Sequence, residues 1–172
     1  MQDRRGSGAQ ALRMTPLIVL IASFVSFLGL RSLRFPPLRS WVVCLRWALA
    51  AMFLLTASAH WGSRRPDLVA MVPDVFPNPE LLVTLTGIAE IAGAVGLLVP
   101  RLAPFAAGGL ALLLIAIFPA NVHAAREGLT IGGTPVTALL PRTLMQLVFL
   151  AAVLVAGFFP ERRRSASKAT HA

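Results

Sequence analysis

Residues 81–120 read LLVTLTGIAEIAGAVGLLVPRLAPFAAGGLALLLIAIFPA. Two long apolar blocks stand on either side of Pro100 and Arg101, and the only charged residue inside either block is Glu90. An α-helix rises 1.5 Å per residue, so about 20 residues cross the roughly 30 Å hydrocarbon layer of a bilayer. The stretch therefore predicts two antiparallel membrane-spanning helices joined by a tight turn at Pro100.

The rest of the chain repeats this pattern. Hydrophobic residues make up 56% of the sequence and charged residues only 13%, against roughly 25% charged residues in a typical soluble domain. The apolar residues form five blocks without the polar half-turns of a solvated helix, at 14–30, 41–61, 81–99, 102–120 and 139–159. We predict an all-α membrane protein in which one amino-terminal transmembrane helix (14–30) precedes a four-helix transmembrane bundle (41–159). A polar tail (1–13) and a basic tail (160–172) flank these segments.

The first block has an alternative interpretation as a cleavable signal peptide. However, basic residues follow it directly at Arg31, Arg34 and Arg39, and no small-residue A-x-A cleavage site ends the block. These features favour a retained anchor helix outside the four-helix core.

The net charge of +9 does not indicate nucleic-acid binding, because no nucleic-acid motif or interleaved aromatic residue accompanies the basic clusters. The clusters lie beside the apolar blocks, which is typical of cytoplasmic loops next to anionic lipid. Around the last four blocks, one set of loops carries eight basic residues and the other set carries three. The sequence therefore predicts a cytoplasmic carboxyl terminus, an external amino terminus, and external loops at 62–80 and 121–138.

Small residues recur four apart, as a compact bundle in lipid requires. Ala89 with Gly93, and Ala92 with Gly96, have this spacing in the third block. The fourth block repeats it at Ala103, Ala107 and Ala111. We expect these faces to pack against each other.

Glu90 lies near the middle of its block, where an unpaired charge is costly. It indicates either a carboxyl that fixes helix packing or a site for a proton, ligand or substrate. Arg142 and Gln146 are four apart and share a helix face, and Arg46 lies inside the second block. Both arginines have the alternative of extending to the headgroups. We predict that Glu90, Arg142, Gln146 and Arg46 form an interior polar set able to bind a cofactor, and we assign no catalytic residue.

The outer edge of the membrane is the predicted place of three polar residues. His60 lies at the end of the second block, and Asn121 and His123 follow the fourth block. A metal or haem between the two histidines is an alternative. No carboxylate or cysteine stands at ligand spacing, so we predict interfacial hydrogen bonding and no metal site. In the loop before the third block, we expect the apolar patch 68–72 to lie on the membrane surface.

A series of elements follows in order through residues 41–157: TASAHW (56–61), LVAMVP (68–73), FPNPELLVTLTGIAEIAGAVGLLVP (76–100), FPANVHAA (118–125) and PRTLMQLVF (141–149). Their order and spacing resemble the DoxX family of small bacterial membrane proteins. The G-x-x-E element at 87–90 looks like part of the family's second core helix. The resemblance implies a four-helix bundle in the bacterial cytoplasmic membrane, with both ends of the core inside the cell.

Some DoxX proteins are named as subunits of thiosulfate:quinone oxidoreductases, and others are linked to membrane redox complexes that handle thiol stress. The resemblance therefore implies an accessory or quinone-facing subunit, with a quinone as cofactor and a membrane-associated oxidoreductase as partner. Cys44 is the only cysteine, so we expect no enzyme activity from the chain on its own. A small proton-coupled exporter, which a carboxyl in mid-membrane suits, and a structural membrane scaffold are the alternatives.

Overall fold

The computed structural model describes residues 14–33, 38 and 40–159. The predicted polar tail (1–13) and basic tail (160–172) lie outside these residues, as do Arg34 and Arg39 of the first loop. The boundaries assigned to the two tails therefore stay predictions.

The described residues form seven helices and one pair of short strands. In chain order these are α1 (Thr15–Ser32), α2 (Trp41–Ser58), α3 (Arg65–Ala70), α4 (Pro79–Leu98), α5 (Ala103–Ala116), α6 (Phe118–Arg126), β1 (Thr130–Ile131), β2 (Thr134–Pro135) and α7 (Leu139–Phe158). Five segments are long and apolar enough to cross a membrane, namely α1, α2, α4, α5 together with α6, and α7. The prediction of a helical, multi-pass membrane protein is thereby confirmed.

Local chemistry sets where the bundle helices begin. The Ser40 side chain caps α2 by accepting a hydrogen bond from the Val43 N–H at 3.2 Å. Pro79 occupies the first turn of α4, where its missing N–H leaves no bond unmade. Asn78 turns the chain into that helix with a left-handed φ of 55°, a conformation that asparagine tolerates better than most residues.

Helices α2, α4, α5 and α7 form a closed four-helix bundle. Helix α2 contacts α4 and α7, and α5 contacts the same two helices. The turn between α4 and α5 lies at one end of the bundle, and the connections 59–78 and 127–138 lie at the other. Helix α1 packs on the outside against α2, where Leu20 is buried and the rings of Phe27 and Trp47 lie 6.0 Å apart. This is the predicted bundle with one additional amino-terminal helix.

The bundle is apolar both inside and outside. Its interior contains fully buried side chains from every bundle helix, including Leu49, Met52, Leu97, Leu110 and Val153. The outward faces leave large apolar side chains 45–67% exposed, among them Leu54, Ile88, Leu112 and Leu147. Such a surface matches the hydrocarbon of a bilayer and would associate in water. The exposed faces therefore support the same membrane assignment as the helix lengths.

Glycines bring α4 close to α5. Gly93 and Gly96 face α5, and a Cβ added at Gly93 would overlap the Leu110 side chain. The predicted packing face is confirmed for these glycines and for the buried alanines of α5, Ala103, Ala107 and Ala111. It is wrong for Ala89 and Ala92, which are exposed. Each lies one position before a buried residue, and one position rotates a side chain by about 100° around the helix.

We expect Gly93→Ala to lower the free energy of unfolding by about 1–3 kcal/mol, because the added methyl group displaces the buried Leu110 side chain. Gly108→Ala is the matched control, since a Cβ there meets nothing within 4 Å. That control should leave stability unchanged or raise it by up to about 1 kcal/mol through helix propensity. Unfolding of both variants in detergent micelles measures the difference. Equal effects would show that α4 and α5 are not in close contact at Gly93.

Candidate functional site

Helices α2 and α4 meet through two neighbouring contacts. The Thr56 hydroxyl donates to Oε2 of Glu90 at 2.7 Å. One turn further along the chain, the His60 side chain packs on Gly87, where an added Cβ would lie 2.8 Å from the His60 Cγ. Thr56 and His60 are four apart, while Gly87 and Glu90 are three apart, so both pairs lie on facing sides of antiparallel helices. Glu90 is thereby fixed inside the bundle, with only 7% of its surface exposed.

The Thr56 hydroxyl has a second partner, the carbonyl oxygen of Phe53 at 3.0 Å. A hydroxyl carries one proton and can donate it to only one of these oxygens at a time. When Glu90 is ionised, Thr56 donates to the carboxylate. When Glu90 is protonated, its carboxyl can donate to the Thr56 oxygen, while the hydroxyl proton turns to Phe53. The contact therefore accommodates both protonation states without movement of heavy atoms.

A cavity of about 840 Å³ lies beside this contact, at the end of the bundle that carries the connections 59–78 and 127–138. This volume falls within the roughly 300–1,000 Å³ of small-molecule sites. Apolar side chains of the bundle form much of the wall, among them Met52, Leu114 and Phe149. Five residues singled out in the sequence line the same cavity, namely His60, Glu90, Asn121, Arg142 and Gln146. The structure thus brings together residues from three helices and from the turn that follows α2.

One wall of the cavity carries a chain of hydrogen bonds. Arg142 Nη1 donates to Oδ1 of Asn121 at 2.7 Å, and Asn121 Nδ2 donates to Oε1 of Gln146 at 2.9 Å. Gln146 Nε2 then donates to the carbonyl oxygen of Leu114. Because a guanidinium only donates, it fixes the orientation of each amide in turn. Arg142 is held in place through one of its five N–H groups, and it lines the cavity.

Asn121 lies on α6, directly after the point where α5 ends. Pro119 has no N–H to continue the helical ladder, and Ile117 is the single residue between α5, which ends at Ala116, and α6. Helix α6 then contacts α7, which brings Asn121 to Arg142.

A cap made of α3 and the β1–β2 hairpin contributes residues to the cavity wall. Gly132 and Gly133 form the hairpin turn with φ values of 57° and 73°, which glycine adopts without strain. The Gly132 N–H donates to Oδ2 of Asp67 at 2.7 Å and thereby joins the hairpin to α3. Within the patch 68–72, Met71 is buried and lines the cavity instead of facing outward. The other residues of the patch are half-buried or exposed, and their place on the membrane surface stays a prediction.

Arg65 anchors the cap to the bundle. Its Nη1 donates to the His60 carbonyl oxygen at 2.8 Å. Its Nη2 donates to Thr84 Oγ1 at 2.9 Å and to the Glu80 carbonyl oxygen at 3.1 Å. The guanidinium therefore connects the carboxyl end of α2 with the first turns of α4.

Two of the predicted residues lie away from the cavity. Arg46 is buried, and its Nε donates to the carbonyl oxygen of Ala156 at 2.8 Å. Its expected approach to Glu90 is wrong, because this bond holds its head against α7 near the opposite end of the bundle. His123 lies on α6 outside the cavity wall, and it does not share a site with His60.

Thr56 and Arg65 are residues of this region that the sequence analysis did not predict as part of a site. Thr56 carried a usable signal, because it is a hydrogen-bonding residue inside an apolar span, four positions before His60. Arg65 carried none, since its three acceptors lie at the end of α2 and at the start of α4, whose proximity only the fold defines.

The fold and the cavity define a multi-pass helical membrane protein with a ligand-sized site at one end of a four-helix bundle. Residues 49–156 match the family described as a domain of unknown function, DUF8561, and the chain belongs to this family. The match covers the bundle from the middle of α2 to near the end of α7, and it leaves out α1. No curated protein and no solved structure matches the chain. The match does not test the DoxX resemblance, which stays a prediction.

His60 gives this region an expected pH dependence. Burial is the main effect on its pKa and lowers it from the ordinary value of 6.5. At His60 the unfolded chain therefore binds a proton more readily than the folded one, so the contribution of His60 to stability should fall as the pH drops from about 7 to 5.5. The measurement is the thermal midpoint in detergent across this range for wild type and His60→Gln. A variant with the same slope as the wild type would assign the pH dependence to other groups.

Proposed function

We propose that this protein is a DoxX-like accessory subunit of a membrane redox system that binds a quinone in the cavity beneath the cap. The observation that carries the proposal is the shared wall of one apolar cavity, which holds a guanidinium, a carboxyl and an imidazole. A quinone head needs hydrogen-bond donors for its carbonyl oxygens, and its tail needs apolar surface. The cavity supplies both kinds of surface.

The residues divide these tasks between them. Arg142 has N–H groups beyond the one it gives to Asn121, and these suit a carbonyl oxygen. The His60 Nδ1 lies 3.3 Å from the Ala57 carbonyl oxygen, so in the neutral ring Nδ1 carries the proton and Nε2 is an acceptor. Glu90 exchanges its hydrogen bond with Thr56 according to its protonation state, which suits a proton donor. Gln146 has a supporting role, because its amide nitrogen is already bonded to Leu114.

Electrons for quinone reduction would come from a partner oxidoreductase. The single cysteine, Cys44, is buried and has no second thiol in the sequence with which to form a disulfide. The partner's redox centre would supply two electrons and the site two protons, one of them through Glu90. The chain would thus bind and orient the quinone while another protein oxidises the substrate.

Quinone retention by the purified protein tests this proposal. Arg142→Leu should lower quinone binding strongly, because it removes the donor at the cavity wall. Gln146→Leu should lower it less, because it only loosens Asn121. Thr143→Leu is the control, since Thr143 lies beside Arg142 on α7 but bonds only to the Leu139 carbonyl oxygen. Binding is measured by extraction and by titration in nanodiscs, and quinone reduction is measured in membranes with and without the protein. No quinone retained and unchanged reduction after deletion would reject the proposal.

The packing of the other half of the bundle favours binding over export. Beyond Glu90, Gly93 contacts Leu110, and a Cβ at Gly157 would overlap the Cβ of Ala107. A path through the protein would have to separate these tightly packed helices. Proton-dependent efflux from vesicles would support the exporter instead.

We propose further that the protein lies in the bacterial cytoplasmic membrane with the cap outside and the carboxyl terminus in the cytoplasm. The excess of basic residues at the opposite end supports this orientation. Reporter fusions after Lys168 should therefore read as cytoplasmic, while fusions inside 62–80 and 121–138 should read as external. A cytoplasmic signal from the loop 62–80 would reverse the orientation.

A further inference from the structure

The charge on Arg142 has no counter-charge in the described part of the chain. Its hydrogen bond goes to Asn121, a neutral amide, and it forms no ion pair with a carboxylate of the described residues. Glu90 is the only acidic residue in the cavity wall, and its hydrogen bond is to Thr56. Arg142 is half-buried in a cavity wall that is largely apolar, and a cation in such a place is costly unless an anion pairs with it. The cavity therefore has room and a fixed cation for a negatively charged head group.

We propose that the cavity binds a long-chain carboxylate, whose head group pairs with Arg142 and whose tail lies along the apolar wall. This ligand class is additional to the quinone and does not depend on it. The planar guanidinium matches the two oxygens of a carboxylate. The second arginine of the cavity wall, Arg64, is exposed, so Arg142 is the half-buried cation that a head group would meet. This one guanidinium balances one negative charge, whereas a phosphate dianion would bring a second charge into a cavity that already contains Glu90. Met52, Phe53, Leu114 and Phe149 offer the tail an apolar surface.

Carboxylate binding and quinone binding differ in whether they require a positive charge at position 142. A quinone is neutral and needs only an N–H donor at position 142, which Gln also provides. A carboxylate needs the positive charge as well. Arg142→Gln should therefore keep quinone binding and lose carboxylate binding, so that each proposal can fail while the other stands.

The test uses the full chain in nanodiscs of zwitterionic lipid and a fluorescent polyenoic long-chain carboxylate. Its methyl ester, which has the same tail without the charge, is the ligand control. The wild type should bind the acid in preference to the ester. Arg142→Gln should weaken binding of the acid about tenfold or more, in line with the loss of a charge-assisted hydrogen bond. Thr143→Gln, on the same turn of α7 but outside the cavity wall, should bind as the wild type does.

Two further variants keep the result decisive. Arg142→Lys retains the charge and should retain part of the affinity, which separates loss of charge from disruption of the fold. Glu90→Gln should bind the acid as well as the wild type or more tightly, because it removes the like charge from the wall. Equal binding of acid and ester, or an unchanged affinity in Arg142→Gln, would overturn the proposal. A long-chain phosphate ester that binds more tightly than the carboxylate would also overturn it, since the head group would then be a phosphate.

Discussion

The hydrogen bond between Thr56 and Glu90 sets the relation of α2 to α4, on which the remaining structure depends. A carboxyl inside an apolar bundle needs a partner, and Thr56 is the residue of α2 that reaches it. With this pair fixed, the antiparallel register places His60 over Gly87, where only a residue without a side chain leaves enough space. About one turn beyond Glu90, α4 presents Gly93 to Leu110 of α5. A single polar contact thus aligns three helices.

The bundle divides into two halves with different chemistry. Toward the turn between α4 and α5, small residues allow the backbones to approach closely, and apolar side chains such as Leu97 and Ala107 are fully buried. Arg46 is the buried charge in this half, and its Nε is bonded to the Ala156 carbonyl oxygen. Toward the cap, the helices separate around the cavity, and polar side chains line it. Close packing in the first half compensates for the contacts that the cavity leaves unmade in the second, because packing is the main attraction between helices in lipid. The closely packed half therefore stabilises the bundle, and the half around the cavity has room for a ligand.

Much of the fold follows from the sequence alone, since apolar blocks of membrane length leave few alternatives. The spans, the turn at Pro100 and the interior place of Glu90 are of this kind. The cavity residues could be predicted only in part. Arg142 and Gln146 share a visible helix spacing, but their link through Asn121 depends on the packing of α6 against α7. Arg46 shows the opposite case. Its depth suggested an approach to Glu90, yet depth says nothing about direction, and its head lies on α7 instead. The DoxX relation stays a prediction, because the DUF8561 match speaks only for the family it names.

The choice of an amide at position 121 decides what the cavity can bind. An aspartate there would hold Arg142 at least as firmly, but it would also neutralise the guanidinium and close the site electrostatically. Asn121 accepts the same hydrogen bond without a charge, and Gln146 keeps the amide from turning over. Arg142 is thereby positioned and remains cationic. A carboxylate is the partner that holds a buried arginine most firmly, but it also neutralises the charge of the guanidinium. The neutral amides of Asn121 and Gln146 hold Arg142 without neutralising it. Its positive charge therefore stays available to a ligand.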